Sequence, residues 1–347
     1  MLISAFSDNL SFNFAGDSNL LLSIAAIVVG LAILVWSADR FVDGAAAIAQ
    51  HMGVSNLIIG ITVVGFGTSA PEIAVSVIAV LEEVPGIAVG NAIGSNIANI
   101  GLILGITALL APISVPSGLI RSEYPLLFGA TVVLVWCLYD LQLDRFDGFL
   151  LLGLLIGIMS YMIYSHRSGK KEELVDENEV GDDQSMSTKA AWFWVLLGLV
   201  LLIGSSRILV WGASNIAVSL GVSELVIGLT IVALGTSLPE LAASIASLKK
   251  SIADMAIGNI IGSNLFNSLA VVGIPPLIHG FDIDSVALHR DLPIMVFLTL
   301  LLFTMSFSRN QPLNQIGRVK GAVLFALFVS YQCYLYFEVV SGESLFS

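Results

Sequence analysis

Residues 54–105 read VSNLIIGITVVGFGTSAPEIAVSVIAVLEEVPGIAVGNAIGSNIANIGLILG, and residues 222–273 read VSELVIGLTIVALGTSLPELAASIASLKKSIADMAIGNIIGSNLFNSLAVVG. The two stretches align without a gap at an offset of 168, with 23 identities in 52 positions. Two unrelated apolar helices would share Leu, Ile and Val. These share Gly, Thr, Ser, Pro, Glu and Asn, which is the mark of a duplicated unit.

The rest of the chain says where that unit sits. Of 347 residues only 12% are charged, and 56% are apolar. A soluble protein carries about 25% charge, so the composition excludes disorder, coiled coil, collagen and ordinary soluble folds and leaves a polytopic membrane protein. A helix crosses the bilayer core with roughly 20 apolar residues. Ten such runs are present, near 19–38, 55–80, 84–111, 123–140, 147–165, 190–210, 223–248, 253–277, 291–307 and 319–338. The expected fold is an all-α membrane protein with ten transmembrane helices. A net charge of −12 with few Lys and Arg excludes the basic footprint of a nucleic-acid binder. Cys137 and Cys333 lie in apolar runs and read as small packed hydrophobes.

The long polar stretch 166–189 divides the chain into a first half, 1–165, and a second half, 190–347. It carries acids and bases without apolar periodicity, so it reads as a cytoplasmic linker. Five spans per half is an odd number. The second half therefore enters the membrane from the opposite side, and the two five-helix repeats are inverted. The turns agree: Glu82 and Glu83 align with Lys250 and Ser251, acidic in one copy and basic in the other.

Lys and Arg set the orientation. With the N-terminus outside, the inner face receives Arg40, Arg121, Arg167, Lys170, Lys171, Lys189, Lys249, Lys250, Arg309, Arg318 and Lys320, against Arg145 and Arg290 outside. This predicts an integral plasma-membrane protein with both termini outside. The first 39 residues hold no Lys or Arg, so no cleavable signal peptide is expected.

In each repeat one helix carries Gly-Thr-Ser-x-Pro-Glu: Gly67, Thr68, Ser69, Pro71 and Glu72, then Gly235, Thr236, Ser237, Pro239 and Glu240. Thr68 and Ser69 lie four and three residues before Glu72 and share its helical face. Pro71 and Pro239 lack a backbone N–H and disrupt the ladder one turn back, near the carbonyls of Gly65 and Ala233. The next helix carries Gly-Asn-x-x-Gly-Ser-Asn-x-x-Asn, which sets Ser95 four residues from Asn99 and Ser263 four from Asn267. Its glycines, Gly90 with Gly94 and Gly258 with Gly262, let helices approach closely.

A carboxylate inside a membrane span costs several kcal/mol and marks an ion or proton pathway. Glu72 and Glu240 read as the only acids well inside a span, at equivalent positions of inverted repeats. Secondary transporters place their sites at such a crossing. Two carboxylates with Thr, Ser and Asn make an all-oxygen set suited to a hard divalent cation such as calcium. The set has no His or Cys, which disfavours zinc and copper. Asp39, Arg40 and Asp43 read as caps or pairs at the end of the first span. Arg207 reads as snorkelling or pairing locally, and His51, His166, His279 and His289 as surface groups.

On these residues the chain resembles the cation/calcium antiporter superfamily, near the prokaryotic sodium/calcium exchangers, whose alpha repeats carry the same two motifs. The resemblance implies a cation-ligand set of Thr68, Ser69, Glu72, Ser95 and Asn99 from the first repeat. From the second it implies Thr236, Ser237, Glu240, Ser263 and Asn267, with the carbonyls of Gly65 and Ala233 added. It implies an antiporter exchanging calcium for sodium by alternating access in the bacterial inner membrane, with proton/calcium exchange through the same site as the alternative. Calcium and sodium are then transported ions rather than cofactors, the bilayer is the surrounding partner, and no obligatory protein partner is evident. Potassium-dependent members carry Asp where this chain has Asn267, so potassium dependence is not expected.

Overall fold

The computed structural model describes residues 20–83, 85–168, 186–219, 233–283, 285, 287–307 and 314–341. Its helices follow the apolar runs: α1 (Leu20–Met52), α2 (Asn56–Leu81), α3 (Gly86–Leu110), α4 (Ser117–Leu138), α5 (Arg145–Ser168), α6 (Thr188–Ser219), α7 (Leu238–Lys249), α8 (Ala253–Ile278), α9 (Leu288–Ser306) and α10 (Arg318–Ser341). Among the described residues all but α7 are long and apolar enough to cross a membrane. The span expected over 223–248 is described only from Ala233, and most of 166–189 lies outside the described residues.

Two of the expected boundaries move. The first helix does not end near residue 38 but runs on to Met52. Hydropathy marks the bilayer core, whereas the helix continues through the Ala-rich turn 44–49, which favours helix wherever it lies. At 1.5 Å per residue its 33 residues reach about 50 Å. Asp39, Arg40 and Asp43 therefore lie within the helix. Arg40 stands 6.0 Å from the Trp36 ring and 5.5 Å from the Trp194 ring, and Asp43 pairs with Lys250 at 2.8 Å. The linker also shortens, because α5 extends to Ser168 and α6 begins at Thr188.

Four two-residue strands give the inversion directly. β1 (Ile113–Ser114) precedes α4 and β2 (Gln142–Leu143) follows it; β3 (Phe281–Asp282) precedes α9 and β4 (Gln315–Ile316) follows it. β1 pairs with β4 and β2 with β3, both antiparallel. Because α4 separates β1 from β2, the two pairs lie at opposite ends of the bundle. β1 and β3 hold equivalent places in the two repeats, 168 residues apart, and they lie at opposite ends.

The pair α1 and α6 says the same. Gly212 lies against Ser23, Gly198 against Phe41 and Gly44 against Ala191, so the two equivalent helices run antiparallel. Small residues let these backbones touch. At the centre stands α8, with 94% of its best apolar window buried, against 72% for α3 and 22% for α1. The two helices that carry the Gly-Asn motif are thus the most enclosed, and the lipid-facing ones are the outer helices.

Candidate cation site

The helix that carries each carboxylate is broken at the same place. In α2 the ladder is interrupted at Ser69 (φ −82°, ψ 0°), and at Ser237 (φ −90°, ψ 3°) before α7. Pro71 and Pro239 stand in the first turn of the restarted helix. There a missing N–H leaves no internal bond unmade. The cost falls one turn back, on the carbonyls of Gly67 and Gly235. The Gly235 carbonyl is recovered by the Ser206 hydroxyl of α6, which donates to it.

This corrects one expectation. The Gly65 carbonyl is not released by the proline, because Ser69 N–H donates to it at 3.1 Å. A carbonyl has two lone pairs, so Gly65 keeps one for another partner. Ala233 opens the short helical turn Ala233–Thr236.

A second irregularity marks the following helices. The α-helical ladder of α3 widens to a π turn at Asn99–Leu104, and that of α8 at Asn267–Val271. Both begin on the last Asn of the repeated motif. Single π turns inside helices gather at functional sites because they re-aim side chains.

These breaks bring the two repeats together. Glu72, Glu240, Thr68, Ser69, Ser237, Ser263, Asn99 and Asn267 are buried essentially completely, and Ser95 nearly so. The Thr68 hydroxyl donates to Asn259 Oδ1 at 3.1 Å and lies 3.4 Å from Ser263 Oγ. Gly65 packs against the backbone of Gly262 and Ser263. The side chain of Thr236 faces Glu72, that of Thr68 faces Glu240, and the two carboxylates act on each other. Ser95 stands one turn before Asn99 and forms no side-chain bond across the repeats among the described residues.

The polar atoms so gathered are largely unsatisfied. Both oxygens of Glu72 and of Glu240, the hydroxyls of Ser69 and Ser237, Asn99 Nδ2 and both amide atoms of Asn267 are buried without a well-formed hydrogen bond. Buried polar groups are normally paired. Orphaned oxygens clustered around two carboxylates are what a desolvated cation satisfies. The set is oxygen-rich, without thiolate or imidazole, and its chemistry suits calcium or sodium rather than a soft metal.

Some participants escaped the reading of the sequence. Asn91 Nδ2 donates to the Glu72 carbonyl (3.1 Å) and to Ser76 Oγ (3.3 Å). Asn259 Nδ2 makes the equivalent bonds to the Glu240 carbonyl (3.2 Å) and Ser244 Oγ (3.0 Å). These pairs are identical in both copies, and that identity was the available signal. Glu72 and Glu240 are also not the only buried acids. Glu123 and Asp291, again 168 apart, are buried in the second turn of α4 and the first turn of α9. Asp291 is held by Arg290 and by the Tyr331 hydroxyl.

Inverted helical repeats that cross at broken helices around a buried carboxylate pair define a secondary transporter. The comparisons agree. The sodium/calcium exchanger protein family matches residues 22–164 and 190–337, and the chain belongs to that family. It is 46% identical over 318 residues to the CaxA protein of Alkalimonas amylolytica, covering 91% of this chain and 99% of that one. It is 27% identical over 345 residues to the sodium/calcium exchanger MaX1 of Methanosarcina acetivorans, covering 90% and 97%. The solved structure of the sodium-calcium exchanger NCX_Mj, soaked with zero Na+ and Ca2+, superposes with a TM-score of 0.77 at 32% identity, covering 91% of this chain and all of that one. The protein is an integral membrane cation/calcium exchanger and not an enzyme.

Proposed function

We propose that this protein extrudes calcium in exchange for sodium, with Glu72 and Glu240 neutralising the bound cation. Thr68, Ser69, Ser95, Asn99 and the Gly65 carbonyl supply oxygens from one repeat. Thr236, Ser237, Ser263, Asn267 and the Ala233 carbonyl supply them from the other. The observation that carries this is the burial of four carboxylate oxygens without a well-formed hydrogen bond at the crossing of the repeats.

Charge explains obligatory exchange. With calcium bound, the two glutamates are balanced and the loaded site can be sealed from water. Empty, two like charges in a medium of low dielectric are costly to enclose. The empty carrier therefore switches slowly, and sodium must refill the site for the return. Three sodium ions for one calcium would move one net charge, worth about 2.3 kcal/mol per 100 mV. The halves 1–165 and 190–347 act as the two inverted units joined by 166–189 on the cytoplasmic side, with both termini outside. Alternating access is the antiparallel pair α1 and α6 sliding against α2, α3, α7 and α8. Asn267 in place of an acid leaves two carboxylates in the set, and no potassium requirement follows.

The coupling ion is tested by radioactive calcium uptake into proteoliposomes under two gradients. Uptake driven by an outward sodium gradient supports this reading. Uptake driven by a pH gradient without sodium replaces it with proton/calcium exchange through the same site.

A further inference from the structure

The amide of Asn259 joins the two halves of the candidate site in one side chain. Its Oδ1 accepts from Thr68 of α2, and its Nδ2 donates to the Glu240 carbonyl and to Ser244 of α7. Asn259 is completely buried on α8. All three groups it meets belong to the helices that carry the carboxylates. Asn91 on α3 mirrors half of this arrangement, holding the Glu72 carbonyl and Ser76.

A hydroxyl that binds a cation presents lone pairs to it, so its proton must go to some other acceptor. Thr68 faces Glu240 as well as Asn259 and Ser263. Were its proton given to Glu240, it would occupy a carboxylate lone pair and turn the hydroxyl away from the cation. A neutral amide oxygen at 3.1 Å offers the proton a place outside the ligand set. The same amide can do this only in one orientation. Its two N–H groups are committed to Glu240 and Ser244, which fixes which end of the amide faces Thr68. Side chains that orient metal ligands in this way typically contribute 10–100-fold to affinity.

We infer that Asn259, with Asn91 as its counterpart, is a positioning residue for the transported cation: it accepts the hydrogen bond of the Thr68 hydroxyl and pins the turn that carries Glu240, so that hydroxyl and carboxylate both present free lone pairs. This rests on the proposed role of Glu72 and Glu240. Asp at position 259 cannot substitute, since it lacks the N–H donors and adds a third charge.

The test is the half-saturating calcium concentration for exchange in proteoliposomes, compared across Asn259→Ala, Thr68→Val, the double variant, and Asn264→Ala. Asn264 is a similarly buried amide whose Nδ2 donates, among the described residues, to the Ile260 carbonyl of its own helix. Asn259→Ala raises the half-saturating concentration about tenfold, and Asn264→Ala does not. Because part of the Asn259 effect runs through Thr68, the double variant falls short of the product of the two single effects. An unchanged value in Asn259→Ala, or full additivity, overturns the inference. If Asn259→Ala does not fold, Ser244→Ala removes one of its anchors and raises the value at least threefold, and no change there overturns the inference equally. Normal exchange by Glu72→Gln would instead sink the site itself. A dead Glu72→Gln beside a normal Asn259→Ala sinks only this inference.

Discussion

The backbone of Gly262 in α8 lies against that of Ile61 in α2 with no room for a side chain between them: a Cβ on Gly262 would overlap the Ile61 carbonyl oxygen. One turn earlier Gly258 meets the Leu57 carbonyl in the same way, and from the other side Gly60 meets Met255. This backbone-to-backbone contact is what carries Ser263 to within reach of Thr68.

Gly262→Ala therefore forces α2 and α8 apart. Overpacking of this kind costs roughly 1–3 kcal/mol. Thermal unfolding in detergent should fall by several degrees and calcium exchange should fall with it. Gly153→Ala, on an exposed face of α5 with no atom near its Cβ, should leave both unchanged. Equal behaviour of the two variants would contradict the packing account.

The carboxylate pair makes a prediction about stability without calcium. Enclosing two charges is costly, and Gln removes one of them at nearly constant shape. Glu72→Gln and Glu240→Gln should each melt no lower than the parent protein in chelator. Added calcium should raise the melting temperature of the parent, since a ligand that binds only the folded state stabilises it, and should leave both variants unmoved. A calcium shift retained in either variant would remove that glutamate from the site.

In the proposed site, position 267 decides whether a third carboxylate is present. Asn267 is buried with both amide atoms unsatisfied. Asn267→Asp adds a third carboxylate, and the ion dependence of calcium exchange should change, with potassium sensitivity as the expected form. Identical sodium and potassium dependence in the variant would show that this position does not set the coupling.

A separate test concerns the start of α9. Arg290 bonds Asp291 at 2.6 Å and Glu338 at 2.8 Å, and Tyr331 donates to Asp291 at 2.9 Å. Removing one partner of a buried pair costs about 3–5 kcal/mol when fully enclosed; with Arg290 partly exposed, about 2–3 kcal/mol is expected for Arg290→Ala. Tyr331→Phe should lose about 1 kcal/mol. Exchange per folded molecule should stay close to the parent value in Tyr331→Phe. A stability unchanged in Arg290→Ala would show that the network contributes nothing.

Much of this architecture was legible because inversion leaves a trace in sequence. A gapless 52-residue match carried the site, and the odd number of spans carried the topology. Helix ends were less legible, because apolarity reports the bilayer and not the hydrogen-bond ladder. That is why α1 runs to Met52, past Asp39, Arg40 and Asp43. Glu123 and Asp291 escaped because they lie outside the match, where no repeated motif drew attention to their spacing. Asn91 and Asn259 lie inside it, but their place in the motif does not say which groups their amides meet. Only the structure shows their N–H groups committed to the carboxylate turns.

The most direct measurement is calcium uptake into proteoliposomes loaded with sodium and diluted into sodium-free buffer, with Glu72→Gln and Glu240→Gln as parallel samples. The account predicts uptake that requires internal sodium and is absent from both variants. Uptake of normal rate in either folded variant, or in vesicles with no sodium at all, would contradict it.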